Sequence, residues 1–249
     1  MLGPLRRFLQ RRAGGDPDAE LRFWTEQWEP HIRGGALFSP GGLELTGDTE
    51  VADSYEGRRW QEARAQVQRV LREADINDPG FFSGRVVLEI GPGPVGLPEA
   101  CGASVALAVE PLADRMRDAG LLLGGDAVYL TCGAEALPLL GESVDVVVAR
   151  NSLDHVRDPA AVLSETARVL RPGGTLILNV DIEGEATAEE PHAFTIEKVR
   201  ALLGPLEIER ERVLSEPHGH VGRQLVIVAA KPADASSPSS RLPGWTSPS

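Results

Sequence analysis

From residue 85 onward, apolar and polar positions fall into blocks that read as strands separated by helices. The apolar run Val86–Ile90 comes first. Runs at 104–109, 127–131, 144–149, 175–180, 207–213 and 224–230 follow it. The run at 144–149 carries almost no polar residue, the mark of a strand buried on both faces. After it, Asp158-Pro159 sets an acid at a helix N-cap and a proline at the first helical position. That helix is expected to reach Leu170 and to stop at a turn made by Arg171-Pro172-Gly173-Gly174. A further helix is expected over 195–203. Strands alternating with helices predict an α/β fold: a Rossmann-like, seven-stranded, mostly parallel sheet with helices on both faces. The last two runs leave no room for a crossover helix, so the final strand is expected to run antiparallel in a hairpin at the sheet edge.

Upstream the period changes to that of helices. Residues 18–33 place Leu21, Trp24 and Trp28 at core-like spacing, and 52–74 carry Trp60, Val67, Val70 and Leu71 in the same way. These helices, within an N-terminal extension of 18–80, are expected to cover the open edge of a site in the α/β unit. Residues 1–17 read as a flexible basic arm. Leu2, Leu5, Phe8 and Leu9 oppose Arg6, Arg7 and Arg11, a pattern that can lie on an anionic membrane, but Gly3-Pro4 weakens any helix there. The Ser- and Pro-rich stretch 232–249 is expected to be disordered.

The densest signal is Val86-Val-Leu-Glu-Ile-Gly-Pro-Gly-Pro-Val-Gly96. It predicts a buried strand, a tight turn and then a helix. Glycine admits a ligand against bare backbone, and the carboxyl end of a parallel strand is where such a sheet holds a nucleotide-like cofactor. The turn satisfies G-x-G-x-x-G, and Glu110 lies about twenty residues past its start, as in a dinucleotide fingerprint. The same turn and acid serve any cofactor with an adenosyl ribose. Two features speak against a dinucleotide. Pro92 and Pro94 remove N–H donors that a pyrophosphate wants. Neither Lys198 nor Lys231 has a tyrosine four residues before it, as a short-chain hydride-transfer enzyme requires.

Composition narrows the partners. The formal charge of -12 over 249 residues argues against nucleic acid. Two cysteines, Cys101 and Cys132, suggest neither a disulfide framework nor a thiolate metal site, and fit a reducing, cytoplasmic setting. No run is long and apolar enough to span a bilayer, and 1–15 has no signal-peptide pattern. Glu216-Pro-His-Gly-His220 brings two imidazoles close without a complete ligand set, so no metal is expected. Asp145 begins its strand, at the edge away from the ligand, and reads as structural.

Several segments together resemble the class I S-adenosylmethionine-dependent methyltransferases, especially their small-molecule branch. They are Val-Leu-Glu-Ile-Gly-Pro-Gly (87–93), Val-Glu-Pro (109–111), Gly-Ala-Glu-Ala-Leu-Pro (133–138), Ser-Val-Asp-Val-Val-Val (143–148), Asp-His-Val-Arg-Asp-Pro (154–159) and Arg-Val-Leu-Arg-Pro-Gly-Gly-Thr-Leu (168–176). The resemblance covers roughly 84–231 and implies a methyltransferase domain over 81–231 with S-adenosylmethionine as cofactor. It implies that Glu89, Gly91 and Gly93 line the methionine part, that Glu110 holds the ribose, and that Pro111 and Leu112 lie near the adenine. Ala134, through its N–H, and Glu135 would sit at the adenine edge, and Asn151 at the methionine end. Family members often have Asp before the Ala-Glu pair, where this chain has Gly133. That contact would move to Glu135 or a water, or be absent. Glu135 also fits the plain role of beginning a helix.

The rule that ligands bind beyond the carboxyl ends of the strands sorts the histidines. His155 with Asp154, His192, and the pair His218 and His220 all map to one rim, together with Arg223. A methyl acceptor with a hydroxyl or ammonium group must lose a proton, which histidine suits. His155 is the first candidate base, with Asp154 as its orienting partner, and His192 the second. Each also has a plain packing or capping role open to it. Trp24, Trp28 and Phe194 fit an acceptor-pocket wall or the core equally well. The expected activity is methyl transfer to oxygen or nitrogen of a small molecule: a sugar, a polysaccharide precursor or a secondary metabolite. An NAD-dependent oxidoreductase and a non-catalytic scaffold on the same fold are the rivals. The sequence does not specify an oligomeric state.

Overall fold

Seven strands form a single sheet in the computed structural model, which describes residues 17–28, 54–186, 191–215 and 223–233. They are β1 (Val86–Ile90), β2 (Val105–Val109), β3 (Val128–Leu130), β4 (Val144–Arg150), β5 (Leu170–Ile182), β6 (Glu207–Leu214) and β7 (Arg223–Ala230). Their spatial order is β3-β2-β1-β4-β5-β7-β6. The first five run parallel, while β7 is antiparallel to both neighbours. The chain moves outward one way from β1 and the other way from β4. Their carboxyl ends therefore flank the crevice where the winding reverses, the place such sheets keep for ligands.

The helices are α1 (Pro17–Arg22), which continues as a π-helical segment Phe23–Trp28, then α2 (Tyr55–Glu73), α3 (Ala113–Asp118), α4 (Pro159–Val169) and α5 (Ile196–Leu202). Side chains alternate across the sheet. Leu88, Val147, Leu176, Leu178, Leu225 and Ile227 meet Val162, Leu163 and Ala167 of α4 and Val199 of α5 on one face. Val87, Val146, Val148, Ile177 and Val228 meet Val70 and Leu71 of α2 and the Phe81-Phe82 pair on the other. Each buried Val or Leu contributes roughly 1.5–3 kcal/mol of transfer free energy, so β4, sealed on both sides, anchors the sheet.

Three expectations need correction. Residues 91–104 contain turns and bends and no helix. Pro92, Pro94 and Pro98 with four glycines make the segment too poor a helix former to extend. Arg171–Gly174 do not end the helix as a separate turn. Leu170 pairs with Val144 and Thr175 with Val146, so the four residues bulge out within β5, tied by Arg171–Asp145 at 2.5 Å. The first N-terminal helix changes from α to π at Phe23, and 29–33 lie outside the described residues. Helix α3, just past β2, had no sequence signal. The basic arm up to residue 16, the loop 29–53 and the tail from 234 also lie outside the described residues.

Candidate functional site

At the end of β1 the backbone turns through Gly91 and Gly93, both at φ +65°, a conformation costly for residues with a Cβ. Space is short as well. A Cβ on Gly91 would stand 2.7 Å from Ser152 Cβ, and one on Gly93 3.0 Å from the Trp24 ring. Glu89, one residue before the strand ends, is buried and its Oε2 accepts from Leu97 N–H at 2.9 Å. Burial pushes its carboxyl up to about 7, against the opposing pull of Arg150.

Glu110 follows β2. Its Oε1 accepts from Leu112 N–H at 2.9 Å and its Oε2 from Gly93 N–H at 3.3 Å, so the acid is bonded directly to the glycine turn. It is only 3% exposed, and burial followed by the nearby charge of Glu20 raises it to about 8. Pro111 is half-buried and Leu112 buried against Met116 and Leu121.

The loop after β3 brings Ala134 and Glu135 to the same edge. Ala134 is buried. Glu135 Oε1 accepts from Arg157 N–H at 3.0 Å, while its Oε2 lies 2.5 Å from where a Cβ on Gly133 would start. The carboxylate of Glu135 thus occupies the space that an aspartate at 133 would need. Any side chain at 133 would evict it.

Beyond β4, Asn151 adopts the left-handed region at φ +43°, which Asn tolerates better than most residues. Its N–H donates to Asn179 O at 2.9 Å and its side chain is exposed. Ser152 is buried and, among the described residues, its hydroxyl meets no hydrogen-bond partner. Asp154 is buried and His155 half-buried, with His155 N–H donating to Ser152 O at 3.3 Å. His192 comes from the loop between β5 and α5. Its Nε2 lies 2.8 Å from Val156 O. A carbonyl can only accept, so Nε2 is the donor and Nδ1 is the nitrogen left outside this bond. The structure therefore brings His155 and His192 to one loop. His218, His220 and the pair Glu216–His220 lie outside the described residues, as does the Trp28 side chain. Phe194 is buried in the main core, so packing accounts for it. Arg223 pairs with Glu183 at 2.6 Å. Asp145 accepts from Val86 N–H at 2.7 Å and pairs with Arg171, a structural role at the far edge. Among the described residues no three His, Cys, Asp or Glu side chains converge as a metal site would require.

Trp24, a candidate pocket wall in the sequence, packs on the glycine turn. Two groups escaped the sequence reading. Glu20 of the N-terminal segment sets its charge near Glu110. On α2, Arg59, Glu62, Gln66, Arg69 and Glu73 form a stripe at steps of three and four, and all but the half-buried Gln66 are buried. Glu73 Oε2 accepts from Asn179 at 2.9 Å, Gln66 donates to Glu62 at 2.8 Å, and Arg150 donates to Gln66. The spacing was visible, but a charged stripe is ordinarily the solvent side.

Residues 88–178 match the family model described as a methyltransferase domain. An uncharacterized methyltransferase of Mycobacterium ulcerans (strain Agy99) is 34% identical over 103 residues, covering 40% of this chain and 40% of that protein. The chain thus matches under half the length of its curated relatives. Among solved structures, the [4+2]-cyclase SpnF covers 89% of this chain and 98% of its own, with a TM-score of 0.60 and 16% identity. An S-adenosylmethionine-dependent methyltransferase of Thermotoga maritima covers 71% and 94%, at a TM-score of 0.50 and 23% identity. These structures share the fold alone. Residues 88–178 are similar to methyltransferase domains, in the family model and in the mycobacterial relative alike.

Proposed function

We propose that the protein transfers the methyl group of S-adenosylmethionine to an oxygen or nitrogen of a small molecule. The observation that carries the donor half is the bond between Glu110 and the glycine turn at the switch point of the sheet. A buried carboxylate there, with bare backbone beside it, fits the two hydroxyls of a ribose. The turn is not followed by a helix, so no helix N-terminus stands ready for a pyrophosphate. That fits a phosphate-free donor and disfavours a dinucleotide. Ser152, buried without a partner against Gly91, offers a further hydroxyl at the floor.

When bound, S-adenosylmethionine supplies an electrophilic methyl group on a cationic sulfur. Glu110 holds the ribose in this reading, Gly91 and Gly93 admit the methionine portion against their backbone, and Glu89 and Asn151 flank it. Pro111 and Leu112 lie by the adenine, with the Ala134 N–H and Glu135 at its edge. Glu135 takes the part that an acid at 133 plays elsewhere in the family, because its carboxylate fills that space. His155 removes the proton from the acceptor, oriented by Asp154, and His192 is the second candidate through Nδ1. The N-terminal extension covers the crevice and excludes water. The strongly acidic charge favours a small acceptor over nucleic acid, and the free cysteines suit the cytoplasm.

Calorimetric titration of the full chain with S-adenosylhomocysteine tests the donor half. Binding by wild type, its loss in Glu110→Ala, and no binding of NAD is the expected pattern. Binding of NAD alone would overturn it. With an acceptor in hand, His155→Ala is expected to lower kcat by about 10²–10⁴-fold, the usual worth of a general base.

A further inference from the structure

The segment Pro17–Trp28 closes over the glycine turn. Asp18 pairs with Arg115 of α3 at 2.6 Å. Leu21 and Trp24 pack with Leu112, Met116 and Leu121. The Trp24 ring rests on Gly93. Glu20 lies four residues before Trp24, hence on the same helical face. Its half-buried carboxylate faces the Trp24 indole N–H and feels both Glu110 and His155. Glu110 ends one wall of the crevice, at β2, and His155 lies beyond the other, at β4. Glu20 therefore bridges the crevice from above, while the unpartnered Ser152 hydroxyl lies on its floor.

On the donor reading given above, we propose that Glu20 makes this crevice prefer a cationic sulfonium donor to its neutral, demethylated product. In the transfer the methyl carbon leaves sulfur for the acceptor atom. Sulfur keeps the electron pair of the broken bond and becomes a neutral thioether, and the acceptor's proton passes to a base. Ribose, adenine and methionine contacts are common to donor and product, so they bind both alike. Only a charge near sulfur separates the two. Glu89 and Glu110 are each tied to backbone N–H groups at strand ends, whereas Glu20 approaches from the opposite side. Burial disfavours the charge on Glu20, so its carboxylate gains from a cation close by. A sulfonium beneath it supplies that cation. Once the sulfur is neutral the gain is lost, and the product is held less tightly.

The test is titration of the full chain and its Glu20→Gln, Glu20→Asp and Trp24→Phe variants with S-adenosylmethionine and with S-adenosylhomocysteine. Glu20→Gln is expected to weaken the donor about tenfold and the product less than about twofold. The tenfold loss needs only about 1.4 kcal/mol, well within reach of a close charge pair at an effective dielectric near 20. Glu20→Asp and Trp24→Phe keep the charge and are expected to keep the preference. Donor and product weakening in parallel in Glu20→Gln, or an unchanged ratio, overturns the proposal. If Glu20→Gln melts early, loss of the preference in a folded Glu20→Asp or Trp24→Phe overturns it too. Wild type binding neither ligand overturns the donor reading itself, which keeps the two failures apart.

Discussion

Glu110 shows how one side chain is held at odds with its surroundings. Its oxygens accept from Gly93 and Leu112, yet burial holds it to about 8. A carboxylate kept buried against its solvation is a common sign of a functional position. Replacing it with Gln keeps the shape and removes the charge. Glu110→Gln is expected to lose the rise in melting temperature that S-adenosylhomocysteine gives wild type, since only a bound ligand shifts stability. Without ligand it is expected to melt no lower than wild type at pH 8–9, because a desolvated charge has gone. A large fall in both would make Glu110 structural. Gly93→Ala is expected to behave differently. It adds left-handed strain of about 1–2 kcal/mol and pushes against Trp24, so urea denaturation shifts to lower midpoint while near-neighbour packing of Trp24 is lost.

Elements were legible wherever one local rule decides them. The strands appear within a residue or two of their apolar runs, except at β5, where Leu170 pairs ahead of the bulge. The cap of α4 stands where sequence puts it, at Asp158, and α5 falls within its expected span 195–203, with Thr195 as its cap. Asp158 Oδ1 accepts from Ala160 and Ala161 N–H at 3.0 and 3.1 Å. Asp158→Ala is accordingly expected to destabilise by about 1 kcal/mol, read as a lower urea midpoint at unchanged slope. A loss near zero would show that packing alone holds α4. What the sequence hid depends on approach in space. Motif residues such as Glu89, Gly91, Gly93 and Glu110 announce themselves through backbone demands near one turn. Ser152 and Glu20 do not, because each meets that turn only after segments some sixty to ninety residues apart have docked. The apolar face of α2 was legible and packs as expected, with Val70 and Leu71 buried; its second, charged buried stripe was not, since the partners Arg150 and Asn179 come from β4 and β5. The missing helix after β1 was a conflict between motif and composition, and composition prevailed.

Over the whole molecule, buried acids on and around the crevice couple folding to pH. Glu89 is raised by burial to about 7 and Glu110 to about 8, and burial also raises Glu20 and Glu99. In the unfolded chain all four return to the ordinary value of 4.5. Between about pH 4.5 and pH 8 the folded state therefore holds more protons than the unfolded one, and stability falls as pH rises. The contribution is complete below 4.5 and lost above the folded values. Glu89 alone accounts for about 3 kcal/mol across that window. Glu165, held low by Arg168, acts with opposite sign, but its contribution is lost only below the window, as pH falls. The ligand-free protein is thus expected to melt progressively lower from pH 5.5 to 8.5, and Glu89→Gln is expected to flatten the profile. A cation in the crevice favours the ionised acids, so S-adenosylmethionine is expected to raise the melting temperature more at pH 8.5 than at pH 6. Scanning calorimetry at matched ionic strength measures both. A melting temperature that climbs across the window, or donor stabilisation that shrinks with pH, would mean that these carboxylates are solvated and the crevice is not closed as described.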